Sequence, residues 1–203
     1  MELTVIILAA AALFIAGYEL ISKCNYIRNA KAELDPELST DGRIVNDQNG
    51  ARGRAFRYGL YPAAHNACEA IAVHNAKLLL GIGSSLPDTV MIFQSSFAMI
   101  GFGLIGSDVF AIGRVLKREG IGHTRIGLDG MTRPGVYIIS YWTGRPLLST
   151  LHTVAVSYDG DGWTTYNKAG HGAVSNMPPS DYAAHFVCGY YLKTRQNSQG
   201  IDL

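Results

Sequence analysis

The strongest constraint on this chain lies at its start. Residues 3–21 are almost wholly apolar, interrupted only by Thr4, Gly17, Tyr18 and Glu19. A bilayer's hydrocarbon core demands a helix of roughly 20 apolar residues, so residues 3–22 are read as a single-pass membrane anchor. The flanks set its direction. Glu2 precedes the apolar run, whereas Lys23, Arg28 and Lys31 follow it, and the positive-inside rule then keeps the rest of the chain in the cytoplasm. The alternatives are a cleaved signal, which would place the domain outside the membrane, and a buried helix of a soluble protein. A signal would begin with a positive segment and end at a small-x-small site, and Glu2 and Lys23 fit neither.

Residues 23–57 are polar and mixed in charge, with Pro36, Gly42, Gly50 and Gly53. They read as a linker or irregular arm. Residues 58–195 are then one domain, and residues 196–203 a polar tail. With 48% hydrophobic and 16% charged residues among 203, the domain can build a packed core. A net charge of +1 with scattered Lys and Arg gives no nucleic-acid footprint. Cys24, Cys68 and Cys188 form no CxxC pair and no thiolate-metal spacing, so free thiols are expected. No HExxH or acidic–histidine cluster is present, and neither metal nor organic cofactor is expected.

Residues 61–81 carry the first chemical signal. Asn66 is positioned to cap a helix, Glu69 lies where a capping-box partner belongs, and Gly81 can end the helix in a left-handed position. Cys68 then falls in the first helical turn, where free N–H groups and the helix dipole favour a thiolate. After the turn at Ser84 to Asp88, residues 89–106 read as a second, buried helix. Gly101, Gly103 and Gly106 inside it match GxGxxG, but no strand–helix–strand frame surrounds them, so turns and close packing are the better account. Ser107 and Asp108 cap a third helix with Val109, Ile112, Val115 and Leu116 at helical spacing, stopped by Gly120.

From there the period changes to two. Gly135–Trp142, Leu151–Tyr158, residues 163–167 and His185–Leu192 read as strands, and Asp159 to Gly162 as a hairpin turn. Helices first and antiparallel strands second define an α+β class. If the turn is centred between Gly160 and Asp161, Tyr158 opposes Trp163 and Val154 opposes Asn167. His152 shares a face with Val154, so Asn167 is its diagonal neighbour, about 7 Å away. The side-chain carbonyl of Asn167 is thereby expected to orient the His152 ring. A nucleophile, a base and an orienter are then available in Cys68, His152 and Asn167. The Cys68 N–H would be one oxyanion donor, and Asn66 or Tyr61 a second. His65, in the turn before the cysteine, is a residue of the cleft or of the turn alone.

The order of these pieces resembles the papain-like cysteine peptidases, and most closely the bacterial C39-like branch that processes bacteriocin leaders. The matching stretches are Asn66-Ala67-Cys68-Glu69-Ala70, Gly106-Ser107-Asp108-Val109 through Gly120, Leu151-His152-Thr153-Val154-Ala155-Val156 and Tyr166-Asn167. The resemblance spans residues 58–192. It implies a papain-like fold, with a helical half packed on an antiparallel sheet, and a peptide or protein substrate. It also implies Cys68 as nucleophile, His152 as general base and Asn167 as orienting residue. Pro62 stands where the family carries an oxyanion glutamine, and Glu69 where it commonly has glycine. Two other activities fit the same pattern: an amidase or transpeptidase acting on cell-wall or modified peptides, and an inactive domain that binds a peptide or protein.

Overall fold

The computed structural model describes residues 2–168 and 172–193, so the tail assigned to residues 196–203 lies outside them. The chain opens with helix α1 (Glu2–Glu33), the short helix α2 (Ala51–Ala55), a small hairpin of β1 (Arg57–Tyr58) and β2 (Tyr61–Pro62), and a single turn, α3 (Ala63–Asn66). Helices α4 (Cys68–Leu79) and α5 (Leu86–Ser95) follow, then a second hairpin of β3 (Met99–Ile100) and β4 (Gly106–Ser107), and helix α6 (Ile112–Arg118). The remainder is built on strands β5 (His123–Ile126), β6 (Gly135–Trp142), β7 (Leu151–Tyr158), β8 (Trp163–Lys168), β9 (Gly172–Ser175) and β10 (His185–Leu192).

These last six strands form one sheet in the order β5-β10-β6-β7-β8-β9, antiparallel at every step. The class is α+β, with an N-terminal apolar helix ahead of the helical layer and the sheet. Alternation divides each strand between two cores. Val136, Ile138 and Ala155 face the helices, whereas Tyr137, Ile139, Val154 and Val156 pack on the opposite side with Met131 and Ala183. The β7–β8 hairpin has the counted register, with Tyr158 opposite Trp163 and Ala155 opposite Tyr166.

Helix α4 is the centre of the helical layer. All of residues 68–77 are buried, the pattern of a helix enclosed by protein rather than one with a wet face. Ala70, Ala72 and Ala76 keep its surface low, so neighbouring elements approach closely. Gly81 takes φ +72° just past its end. The N–H groups of Gly81 and Ile82 then satisfy the carbonyls of Leu78 and Lys77 at 2.9 and 2.8 Å, closing the helix in a Schellman-type turn.

Two expectations change. The linker expected at residues 23–57 is partly helix, because α1 continues to Glu33. Asn25 donates to the Gly59 carbonyl at 2.6 Å, and Asn29 bridges the N–H and C=O of Arg57 at 2.7 and 2.9 Å. The backbone of the first hairpin thus finds partners on α1, which fixes the helix to the domain. The irregular chain after it is also tied down, since Glu33 accepts from the N–H and hydroxyl of Thr40 and Val45 exchanges both backbone groups with the Asn75 amide. Nor are residues 89–106 one helix. Helix α5 stops at Ser95, and the β3–β4 hairpin follows. Gly103 adopts φ +87° where a Cβ would lie 2.6 Å from the Tyr58 carbonyl oxygen. The glycines therefore serve a tight hairpin pressed onto β1, a conformation that a helix cannot share.

Candidate active site

Cys68 is the first residue of α4, but the helix start differs from the expected cap. Asn66 ends α3, and its amide donates to the carbonyls of Gly103 and Leu104. Ala67 holds the cap position without a side-chain bond. The hydrogen-bond ladder runs almost unbroken from α3, with Ala67 N–H on the Ala63 carbonyl at 3.0 Å and Ile71 N–H on that of Ala67 at 2.9 Å. Asn66 is therefore free to fasten the β3–β4 hairpin instead.

Glu69 does not cap either. Its carboxyl is buried, and Oε2 accepts the Cys68 thiol at 3.4 Å. The Ser107 side chain works against the rise of this carboxyl's pKa, and the Ser107 hydroxyl pairs with that of Tyr58. Two buried polar pairs, Cys68 with Glu69 and Ser107 with Tyr58, thus sit side by side. Burial, then the Glu69 charge, pushes the Cys68 thiol well above its ordinary value. Burial likewise raises Glu69 to about 7. The expected thiolate is reversed here, because desolvation in the core outweighs a helix terminus.

His152 is the second residue of β7, with its ring edge-on to Tyr141. Its Nε2 lies 2.7 Å from the backbone oxygen of Asn167. A carbonyl can only accept, so Nε2 carries the proton and Nδ1 keeps the lone pair. Burial lowers the pKa of the ring, with the Asn167 carbonyl working against it. The counted geometry did bring Asn167 to His152, but the main chain makes the contact. Asn167 sits at φ +60°, a left-handed position that Asn tolerates better than most residues. That rotation takes it out of the ladder and turns its carbonyl onto the ring.

The Asn167 side chain is used elsewhere. Its Oδ1 accepts from the Gln48 N–H at 3.0 Å, and its Nδ2 donates to Gln48 Oε1 at 3.2 Å. Gln48 Nε2 in turn donates to the carbonyls of Ala63 and Ala64 at 3.3 and 3.0 Å. Sequence reasoning missed Gln48 entirely. Its only signal is the polar run Asp47-Gln48-Asn49 ahead of Gly50, and nothing local says that this run is carried into the site.

Cys68, Glu69 and His152 line one cavity of about 330 Å³, with Gln48, Asn66 and Ile105 on its walls. A neighbouring cavity of about 710 Å³ is lined by Asn46, Asp47, Asn167 and Lys168. Both share Gln48, His65, Thr150 and His152, so a cleft passes the histidine, apolar toward Ile105 and polar toward Asn46. His65 is exposed and reaches both parts. Tyr61 lines neither and packs at a tilt against His65 with ring centroids 5.3 Å apart. Gly106 completes the floor, since a Cβ there would sit 3.3 Å from the Asn66 carbonyl. His74 is structural, held between Ser84 and the Arg43 carbonyl at 3.0 and 2.9 Å. Among the described residues no group of three or more His, Cys, Asp or Glu side chains is placed to hold a metal.

No protein-family model matches the chain, and no curated protein matches it. Solved structures similar in fold include two peptidase domains. One is the peptidase domain of Streptococcus ComA, a bi-functional ABC transporter involved in a quorum-sensing pathway, with a TM-score of 0.49 and 13% identity over 68% of this chain and 100% of that one. The other is the peptidase domain of Streptococcus mutans ComA, with a TM-score of 0.38 and 10% identity over 63% of this chain and 92% of that one.

Proposed function

We propose that the domain is a membrane-anchored thiol peptidase in which Cys68 is the nucleophile, His152 the base and then the acid, and Asn167 the orienting residue. The observation that carries this reading is one cavity lined by both Cys68 and a histidine whose ring is held with Nε2–H on Asn167. His152 Nδ1 is then the nitrogen available to take a proton. The resting pair is a neutral thiol and a neutral imidazole, because burial raises one and lowers the other. Proton transfer to His152 accompanies attack rather than preceding it. The Cys68 sulfur bonds to the peptide carbonyl carbon, and the Cys68 N–H at the start of α4 faces the developing oxyanion. The imidazolium returns its proton to the departing amine as the C–N bond breaks. Water, deprotonated by the same ring, then cleaves the thioester and releases the acid.

Helix α1 supplies the anchor. It is the one helix among the described residues long and apolar enough to cross a bilayer, with mean hydropathy 2.2 and only 6% of its apolar window buried. Lys23, Arg28 and Lys31 after the apolar run support a cytoplasmic side for the domain.

One observation favours a second reading, a papain-like domain that binds a peptide or protein without cleaving it. Both amides near Cys68, those of Asn66 and Gln48, are committed to backbone carbonyls. The test is incubation of the full chain in detergent with a mixture of proteome-derived peptides and cell-wall peptides, read by mass spectrometry. Backbone cleavage lost in both Cys68→Ala and His152→Ala supports the peptidase. Cleavage confined to cell-wall peptides assigns the amidase instead. Absence of any product, with Cys68 alkylated no faster than Cys188, overturns catalysis in favour of binding.

A further inference from the structure

The β3–β4 hairpin exposes an apolar patch. Leu104 and Ile105 at its tip are 52% and 71% exposed, and Phe97, Ile100 and Leu60 are exposed beside them. Leu60 is joined to the hairpin by its N–H on the Phe102 carbonyl at 2.9 Å. Isolated exposed apolar residues are ordinary, but a contiguous group of this kind marks a binding surface.

The patch is continuous with α1. Phe102 packs against Phe14 with ring centroids 4.9 Å apart, and Phe97 stacks on Tyr18 at the same separation. Phe97 and Phe102 both adopt positive φ, 50° and 53°, an unfavourable backbone for a bulky side chain. The chain bears that strain where two rings meet the helix.

Length decides what covers the patch. Residues 3–13 of α1 are exposed, Phe14 is the first ring to meet the domain, and Tyr18 is the first residue buried against it. From Leu3, where the apolar run starts after the charged Glu2, that free segment is about 17 Å long at 1.5 Å per residue, short of a hydrocarbon core of about 30 Å. An anchor of adequate length therefore brings Tyr18 and the next turn to the membrane boundary, and Phe14 lies deeper still. Phe97 and Phe102, packed against those residues, must sit at the same level. Below them the charge is correct for a lipid surface. Arg28 and Arg57 line a groove of about 400 Å³ with Leu20, Ile21 and Leu60, which places cations under an apolar lip where phosphates lie.

We infer that the β3–β4 hairpin and Leu60 dock into the bilayer interface beside α1, so that the Cys68 cavity opens along the membrane surface through Ile100 and Ile105. This rests on α1 being the anchor and is independent of the chemistry at Cys68. The docking holds the domain in one orientation, with the apolar part of the cleft at the lipid and the polar part away from it.

The experiment uses the full chain reconstituted in phosphatidylcholine–phosphatidylglycerol vesicles with or without brominated acyl chains. Single added tryptophans are read as the difference from the parent, which has Trp142 and Trp163. Leu104→Trp and Ile105→Trp are at exposed positions and leave packing intact. Their added fluorescence should fall about two-fold or more in brominated vesicles, as for a side chain at the interface. Asp161→Trp, at the opposite end of β7 from His152, should be unquenched, and Leu8→Trp should be quenched most. Quenching at Leu8→Trp without quenching at Leu104→Trp or Ile105→Trp overturns the docking and leaves the anchor standing. No quenching at Leu8→Trp overturns both. Shielding of the patch only when chains cross-link to one another assigns it to a protein contact and overturns the lipid one.

Discussion

Replacing Glu69 by glutamine separates the Cys68 thiol from the group that opposes its ionisation. In the native site the Cys68 thiol donates to Glu69 Oε2 at 3.4 Å, a bond that stabilises the protonated sulfur and is lost when the proton leaves. A hydrogen bond to a charged group is worth about 1.5–3 kcal/mol, and each pK unit is about 1.4 kcal/mol. Removing the carboxylate should therefore raise the thiolate fraction about 10- to 100-fold when Glu69 is ionised. Glu69 titrates at about 7, so the gain should be large above pH 8 and shrink toward pH 6, where the native carboxyl is already neutral. The assay is the iodoacetamide rate at Cys68 in a Cys24→Ser background, followed by mass spectrometry of the Cys68 peptide. A Glu69→Gln to parent ratio that does not change with pH, or stays below about two-fold at pH 8.5, would refute the claim that this carboxylate controls the thiol.

Asn167→Gly keeps both the left-handed backbone and the carbonyl that meets His152, whereas Asn167→Ala keeps the carbonyl at a strain of about 1 kcal/mol or more. Peptide cleavage should therefore survive better in the glycine variant; equal loss in both would return the orienting role to the side chain. His74 is held neutral, with burial lowering its pKa from 6.5 to about 4. The unfolded chain takes up that proton first, so this contribution to stability is present above pH 6.5 and lost as the pH falls toward 4, by about 3 kcal/mol. Urea unfolding of the parent and His74→Gln at pH 7 and pH 4.5 should show a steeper acid loss in the parent. Parallel losses would show that His74 is not the titrating group.

The strands were legible because alternation and turn chemistry agree there. Val136, Ile138 and their neighbours alternate between two apolar cores, and Asp159 to Gly162 defines the hairpin that counts Asn167 back to His152. The helix holding Cys68 was equally plain, from its alanines to Gly81. What stayed hidden depends on backbone conformation and long-range delivery. Asn167 places its carbonyl on the histidine through a rotation that residue type only permits. Gln48 reaches the site because an irregular arm folds across the domain, and such an arm leaves no periodic trace. Residues 89–106 were apolar enough for one helix, but Gly101, Gly103 and Gly106 bend them into a hairpin that meets Asn66. The protonation of Cys68 was hidden for a similar reason: a helix start is visible in sequence, whereas the burial that overrides it arises from packing.

The bond between Gln48 and Asn167 joins residues 119 positions apart. Loop-closure entropy grows slowly with length, so the distance adds little cost, but the contact cannot form until the chain through residue 167 has been made. During synthesis the anchor and Cys68 emerge well before His152 and Asn167, and the histidine has no orienting carbonyl until β8 is made. A chain truncated before β8 would hold Cys68 in its helix with no carbonyl to fix the His152 ring, so the arrangement of the whole cleft depends on the second half of the sheet.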